Sequence, residues 1–257
     1  MNHDITPIIA GWEFNPDELR VRTITALDGS EKIQMRIDLG LLQMELLGRP
    51  DGDRPHGHES LLEYHESRAR MAADAGKDYV LDPAACNQLM REGLQYYHRY
   101  LSAFHLHKYD VVVRDTERNL RLFAFVVQHA SRQRDKLEFD RYRPYVIMMR
   151  ARARALQALK DADFAQALRE IDDGIGRIRQ FLREYQQADN EAECAELGFL
   201  VRWRREVENE RPAGPVERLE QQLELAISLE DYEEAARIRD QIKALQKTTI
   251  EAQQKTR

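Results

Sequence analysis

Two histidine clusters are the residues in this sequence whose type could support metal chemistry. The first cluster consists of His56, His58 and His65, and the second of His98, His105 and His107. Imidazole is a common metal ligand. On a helix, however, His98 and His105 share a face that His107 does not, and no H-E-x-x-H or paired-carboxylate pattern completes either cluster. We therefore predict ordinary packing or surface histidines, with no metal and no cofactor.

A basic strip with interleaved tyrosines could do a different kind of chemistry. The stretch RYRPYVIMMRARARALQ contains Arg141, Arg143, Arg150 and Arg154. Such a strip can hold a nucleic-acid backbone or stacked bases, or it can line a groove for an acidic peptide. A solvated helix face is the structural alternative. The formal net charge of −6 argues against nucleic acid as the main partner.

Catalytic signatures are missing from the sequence. The acidic run at Asp172 and Asp173 has no nucleophile paired with it, and charge runs on helices are usually solvated. The serines, cysteines and histidines form no recognisable nucleophile motif. We therefore predict a protein that is not an enzyme.

The composition favours a helical protein of the cytoplasm. Of the 257 residues, 42% are hydrophobic and 33% are charged, with only 12 glycines and 8 prolines, which suits a folded chain of long solvated helices. Cys86 and Cys194 form no C-x-x-C pair, so we expect neither disulfides nor cysteine-bound zinc. No apolar run is long enough to span a membrane, and the N-terminus does not resemble a signal peptide.

The N-terminal region, residues 1–60, reads as a β-hairpin element followed by a loop. Between Arg20 and Gly40, two runs of alternating residues flank an Asp-Gly pair, which predicts a hairpin. The following stretch LGLLQMELLG fits a strand or a helix, and its periodicity does not decide between them. Because a lone hairpin is marginal in water, we expect it to pack on another element.

Residues 61–209 read as a helical domain with a weak internal repeat. Asp82 is a candidate N-cap before Pro83. Small and aromatic residues recur around two predicted helix turns, and the matched positions Val112 and Ala167 are 55 residues apart. The pattern resembles degenerate tetratricopeptide repeats, with an extra helix over 121–137 between the two hairpins. The predicted fold class is mainly α, a helical repeat-like domain with a small N-terminal β-hairpin and a C-terminal helical hairpin.

The C-terminal region is separated from the helical domain by a linker at residues 210–215, which contains two prolines and a glycine. Residues 216–247 carry two apolar stripes at steps of three and four, which predicts two short helices folded back on each other. Asp231 is the candidate cap of the second helix. Residues 248–257 are predicted to be a disordered tail. The stripes are Val216, Leu219, Leu223, Ala226 and Ile227, then Ala235, Ile238, Ile242 and Leu245.

A hairpin this short buries little surface, so we expect it to dock on a partner or to self-associate. Its sequence LEQQLELAISLEDYEEAARIRDQIKALQ resembles the UVR motif, a helical hairpin of excinuclease subunits B and C that also occurs in the activator of the bacterial protein arginine kinase and in some Clp-type ATPases. The residues that match the family pattern are Leu219, Leu223, Ala226, Asp231, Tyr232, Glu233, Ala235, Ala236, Ile238, Arg239, Asp240 and Ile242.

The resemblance implies a protein-interaction role. The chain lacks the G-x-x-x-x-G-K-[ST] loop of the excinuclease ATPase and the zinc-type cysteine pairs of the kinase activator. We therefore expect an adaptor or scaffold in excision repair or in Clp-type protein quality control. It would dock on another protein, such as a UVR-motif protein or a Clp-type ATPase system, or it would self-associate. The alternative is a nucleic-acid-associated factor that uses the strip from Arg141 to Arg154.

Overall fold

The computed structural model describes residues 4–212, 215–228 and 231–255. The chain divides into two compact units, Met1–Glu208 and Asn209–Arg257, so the division falls next to the predicted linker. The prediction of a mainly helical chain with a small N-terminal sheet and a C-terminal helical pair is confirmed. In the described ranges, none of the helices combines the length and the hydropathy needed to cross a membrane.

The N-terminal hairpin is present and gains a third strand. Strands β1 (Val21–Thr25), β2 (Glu31–Ile37) and β3 (Gly40–Glu45) form an antiparallel sheet in the order β1-β2-β3. Asp28 accepts hydrogen bonds from the amide and hydroxyl of Ser30, and Gly29 takes a φ of 81°, so the Asp-Gly pair makes the turn as predicted. The stretch whose periodicity left strand and helix open is β3.

The first unit is otherwise helical. Ser60 and Asp82 cap α2 (Leu61–Asp74) and α3 (Pro83–His105) by accepting hydrogen bonds from backbone amides, and the Asp82 cap precedes Pro83 as predicted. Short 3-10 turns occupy Pro55–Gly57 and Ala188–Glu193. The helices of this unit are α1 (Thr6–Ile9), α2 (Leu61–Asp74), α3 (Pro83–His105), α4 (Tyr109–His129), α5 (Gln133–Asp140), α6 (Arg143–Lys160), α7 (Phe164–Glu184) and α8 (Ala195–Glu210), the last of which ends just inside the second unit.

Two helical hairpins, α3–α4 and α6–α7, repeat the same turn 55 residues apart. His107 and Ala162 follow the first helix of each pair in the left-handed conformation, with φ of 57° and 55°. In both turns the next amide donates to the carbonyl four residues before the left-handed residue, at 2.9 and 3.0 Å. The predicted spacing therefore marks a real structural correspondence, while the likeness to tetratricopeptide repeats stays a prediction.

The segment between the hairpins differs from the prediction of one extra helix over 121–137. Its first part completes α4, which runs to His129, and its last part begins α5 at Gln133.

Close helix packing needs small residues in the second hairpin: a Cβ built on Gly174 of α7 would lie 2.6 Å from the Cβ of Ala151 on α6. Only glycine lets these two helices approach so closely.

A buried ion pair joins the sheet to the helices. Arg99 on α3 donates through Nε and Nη2 to the two carboxylate oxygens of Asp115 on α4, at 2.6 and 2.9 Å. Its Nη1 donates to the carbonyls of Glu45 and Gly48, both at 2.8 Å, just where the chain leaves β3. Both charged side chains are almost fully buried. Every nitrogen of the Arg99 guanidinium therefore donates a hydrogen bond.

A second buried carboxylate, Glu92, organises the start of α2. It accepts hydrogen bonds from the amides of Leu61 and Leu62 at 2.7 and 3.1 Å, where the helix dipole favours negative charge. It also pairs with Arg118 and lies 3.4 Å from Nε of Arg49. Glu92 thus ties α2, α3, α4 and the loop after the sheet together.

We predict that Asp115→Ala lowers the free energy of unfolding by about 3–5 kcal/mol, because it leaves the Arg99 charge buried without its partner. Urea denaturation followed by circular dichroism measures the change. Asp172→Ala is the control, since Asp172 pairs with Arg204 at an exposed site and should change stability by less than about 1 kcal/mol. Similar losses in the two variants would contradict this role.

We predict that Ala162→Gly raises the free energy of unfolding by about 1 kcal/mol, because it relieves a left-handed alanine at the α6–α7 turn. Gln157→Gly, on the exposed face of α6, should instead lower it by about 1 kcal/mol. Thermal and urea unfolding of both variants test the sign. A loss of stability in Ala162→Gly would show that the turn does not carry this strain.

Candidate protein-interaction site

The second unit contains a helical hairpin. Its helices are α9 (Pro215–Ser228) and α10 (Tyr232–Lys255), so Pro215 opens the first helix as predicted. The Asp231 carboxylate accepts a hydrogen bond from the amide of Glu234 at 3.1 Å, which is the predicted cap of the second helix. Residues 248–255 are helical, where a disordered tail was predicted; residues 256 and 257 lie outside the described part.

The apolar stripes of the two helices pack against each other. Ala235, Ile238 and Ile242 are buried, and the partly buried Leu219 and Leu223 pack against them. These five stripe residues form a core within the hairpin itself and hold α9 and α10 together. Ile227 of the first stripe stays exposed, and the expectation that the hairpin needs a partner to bury its stripes stays a prediction.

Among the described side chains of the hairpin, the large apolar ones that are exposed lie near the connection between the two helices. Leu225 and Ile227 occupy the last turn of α9, Tyr232 is the first residue of α10, and their exposed fractions are 60%, 47% and 68%. We call these three residues the hairpin tip. Ile227 was predicted to belong to the first apolar stripe, but Leu225 was not predicted. Leu225 could have been noticed as a large apolar residue that does not fit the stripe's steps of three and four.

The other predicted interaction residues divide between exposed and undescribed positions. Ala236 and Arg239 are exposed on α10. The predictions for the side chains of Val216, Ala226 and Leu245 fall outside the described residues. The predicted interaction residues therefore fall into two sets. One set is buried in the hairpin core, and the other is exposed, where a partner can reach it.

The predicted basic strip is engaged by carboxylates of its own unit. At its start, Arg143 pairs with Asp140 and, at 2.7 Å, with Glu184. Arg141 is the least engaged, because its nearest carboxylate, that of Glu138, lies 3.9 Å away. It also lies over the ring of the adjacent Tyr142.

The two strip arginines on α6 share a carboxylate. Glu117 lies 3.9 Å from Arg150 and 2.5 Å from Arg154, while Asp173 and Glu170 contact the same arginines from α7 at 3.2 and 3.4 Å. Burial lowers the pKa of Arg150, and neighbouring arginines add to that shift. These carboxylates compete with phosphate for the arginines, which weighs against a nucleic-acid surface here.

His65 and Cys86 are buried among other side chains and have the environment of structural residues. Nδ1 of His65 lies 2.6 Å from the hydroxyl of Tyr79, and burial lowers the pKa of this histidine. Within the described residues, no group of three or more metal-ligating side chains comes together. Burial raises the pKa of the Cys86 thiol to about 11, so it is a poor nucleophile at neutral pH.

Comparison with known proteins identifies the family of the hairpin. The family model described as the UvrB/uvrC motif matches residues 215–248. The C-terminal hairpin is a UVR motif. The match covers α9 and most of α10, and therefore both the hairpin core and the hairpin tip. No curated protein and no solved structure gives a significant match to the chain.

We predict that Ile238→Asp unfolds the UVR motif, because it places a charge in a small core whose described members are five apolar side chains. Hydrogen exchange of α9 and α10 amides in the full chain should then lose protection. Arg239→Asp, at the exposed neighbouring position, should preserve it. Retained protection in Ile238→Asp would mean that this core does not stabilise the hairpin.

Proposed function

We propose that the protein is a non-catalytic adaptor of the cytoplasm that docks on another protein through the hairpin tip of its UVR motif. The observation that carries this proposal is the separation of roles within the hairpin. One apolar set closes the core between α9 and α10, and a second set, Leu225, Ile227 and Tyr232, stays exposed where the helices are connected.

The energetics favour the tip as the anchor of an interface. Removing a leucine or isoleucine side chain from water contributes roughly 1.5–3 kcal/mol when burial is complete, and these side chains begin about half exposed. Tyrosine is among the residues most often found at energetic centres of interfaces, because it combines a large ring with a hydroxyl. Leu225 and Ile227 are two residues apart on α9 and therefore project to different sides of the helix, so the three side chains offer separate apolar contacts at one end of the hairpin.

The UVR motif gives the proposal its class of partner. Hairpins of this family occur in DNA-repair and Clp-associated proteins and mediate contacts between proteins. We propose a partner from excision repair or from Clp-type protein quality control, itself a UVR-motif protein or a component of a Clp-type ATPase system. Self-association through the same tip is a related possibility that one experiment separates from docking on another protein.

The nucleic-acid alternative has weaker support. Arg143, Arg150 and Arg154 each contact two carboxylates of the same unit, so a phosphate would have to displace existing ion pairs. Binding to nucleic acid also draws on the release of counterions from the phosphates, which requires basic groups that are free to neutralise them. We therefore propose protein docking alone.

The test is affinity capture from native cytosol with the full chain and with Leu225→Glu and Tyr232→Glu. Each substitution places a charge at the tip, so we expect at least a tenfold loss of captured partner, which corresponds to about 1.4 kcal/mol. Gln241→Glu is the matched control, because it introduces the same side chain at an exposed position of α10 away from the tip. It should capture the partner normally.

Analytical ultracentrifugation of the same proteins identifies self-association. A dimer of the unmodified chain that both tip variants abolish would make a second copy the partner. Capture that survives both tip charges, in variants that keep the hairpin folded, would contradict docking through the tip.

A further inference from the structure

A cavity of about 670 Å³ lies in the first unit, away from any role assigned so far. Helices α3, α4, α5, α6 and α8 contribute its walls, which are mostly aromatic and aliphatic. Ligand sites typically have volumes of about 300–1,000 Å³ and combine apolar walls with a few polar groups. The polar groups of this cavity therefore indicate what it would bind.

Three tyrosines bring hydroxyls without protein partners to the cavity. Tyr97 and Tyr100 come from α3 and Tyr145 from α6. Tyr100 is only 1% exposed. Across residues 4–212, 215–228 and 231–255, none of the three hydroxyls makes a hydrogen bond to another protein group. These hydroxyls are therefore available to a ligand, which would exchange a hydrogen bond with solvent for one with the protein.

The three rings stand at steep angles to one another. The centroids of Tyr97 and Tyr100 are 5.5 Å apart and their planes are perpendicular. Those of Tyr97 and Tyr145 are 6.3 Å apart, with an interplanar angle of 54°. In a perpendicular pair the edge of one ring packs on the face of the other, so the three tyrosines pack on one another and line the same cavity.

Glu196 at the start of α8 provides negative charge at the cavity wall. Its carboxylate has a contact of 3.6 Å with Sγ of Cys194, and it forms no ion pair within the described residues. Burial raises the pKa of the Tyr145 phenol, Tyr97 and Glu196 add to that shift, and Arg152 opposes it, so the carboxylate and this arginine are both within electrostatic reach of the ring. Of these two charged groups, Glu196 belongs to the cavity lining and Arg152 does not. The other charged lining groups, Glu138 and Arg141, lie 3.9 Å apart and offset each other.

We propose that this cavity binds a small organic cation, namely a protonated primary or secondary amine carried on an aromatic body. The ammonium group pairs with Glu196 and donates hydrogen bonds to the tyrosine hydroxyls. The aromatic body packs on the apolar wall, which includes Phe123 and Phe139. An anionic ligand is disfavoured by Glu196, and a neutral one leaves its charge unmatched.

Titration calorimetry of the full chain at neutral pH tests this proposal with three probes of similar shape: benzylammonium, benzyl alcohol and benzoate. We expect saturable binding of benzylammonium, at least about tenfold tighter than that of benzyl alcohol, and none of benzoate. Equal binding of the cation and the alcohol would overturn the proposal, as would the absence of saturable binding of benzylammonium.

Variants then locate the site. Glu196→Gln should weaken benzylammonium binding about fivefold, whereas Glu193→Gln, an exposed carboxylate outside the cavity, should leave it unchanged. Tyr100→Phe should weaken binding without lowering the melting temperature, because the lost hydroxyl has no protein partner. Tyr185→Phe is the structural contrast, since its hydroxyl donates to Asp140 at 2.5 Å and its loss should destabilise the fold. Unchanged affinity in both Glu196→Gln and Tyr100→Phe would refute binding in this cavity.

Discussion

The buried pair of Arg99 and Asp115 is the interaction on which the first unit depends. Burying two charges is unfavourable unless their geometry is good and their remaining donors and acceptors are satisfied. Arg99 meets this condition by bonding both carboxylate oxygens and two carbonyls at the end of the sheet. The position of the sheet on α3 and α4 is therefore set by hydrogen-bond geometry as well as by apolar packing around Ile33 and Met44.

Local sequence patterns predicted turns and helix caps because the interactions that form them are local. The turn at Gly29 and the cap at Asp82 depend on side chains within three residues of the backbone groups they serve. The partners of Arg99 are 16 residues away on α4 and more than 50 residues away in the sheet, so no spacing along the chain announces them. Strand β3 was undecided for the same reason, because its pairing with β2 rather than its own periodicity makes it a strand.

The C-terminal hairpin was predictable in place, but the burial of its side chains was not. Helical spacing and the resemblance to a UVR motif identified the hairpin and its apolar stripes. Spacing alone does not tell whether a stripe faces a partner helix or solvent, and Ile238 and Ile242 face the partner helix α9. Leu225 was missed because it breaks the periodicity, although that break is what leaves it exposed. Spacing also gave no sign of the ion pairs of the basic strip, because the carboxylates that contact its arginines come from α4, α5 and α7.

The closed core of the hairpin has a kinetic consequence. A motif that is already folded loses little chain entropy on docking, so its association is limited mainly by diffusion and orientation rather than by a folding step. The proposed anchor of three side chains would also bury a small area, and small interfaces are typical of short-lived complexes. Under the proposed docking, the UVR motif would exchange rapidly between partners, with residence times set by how well each partner's pocket fits Leu225, Ile227 and Tyr232.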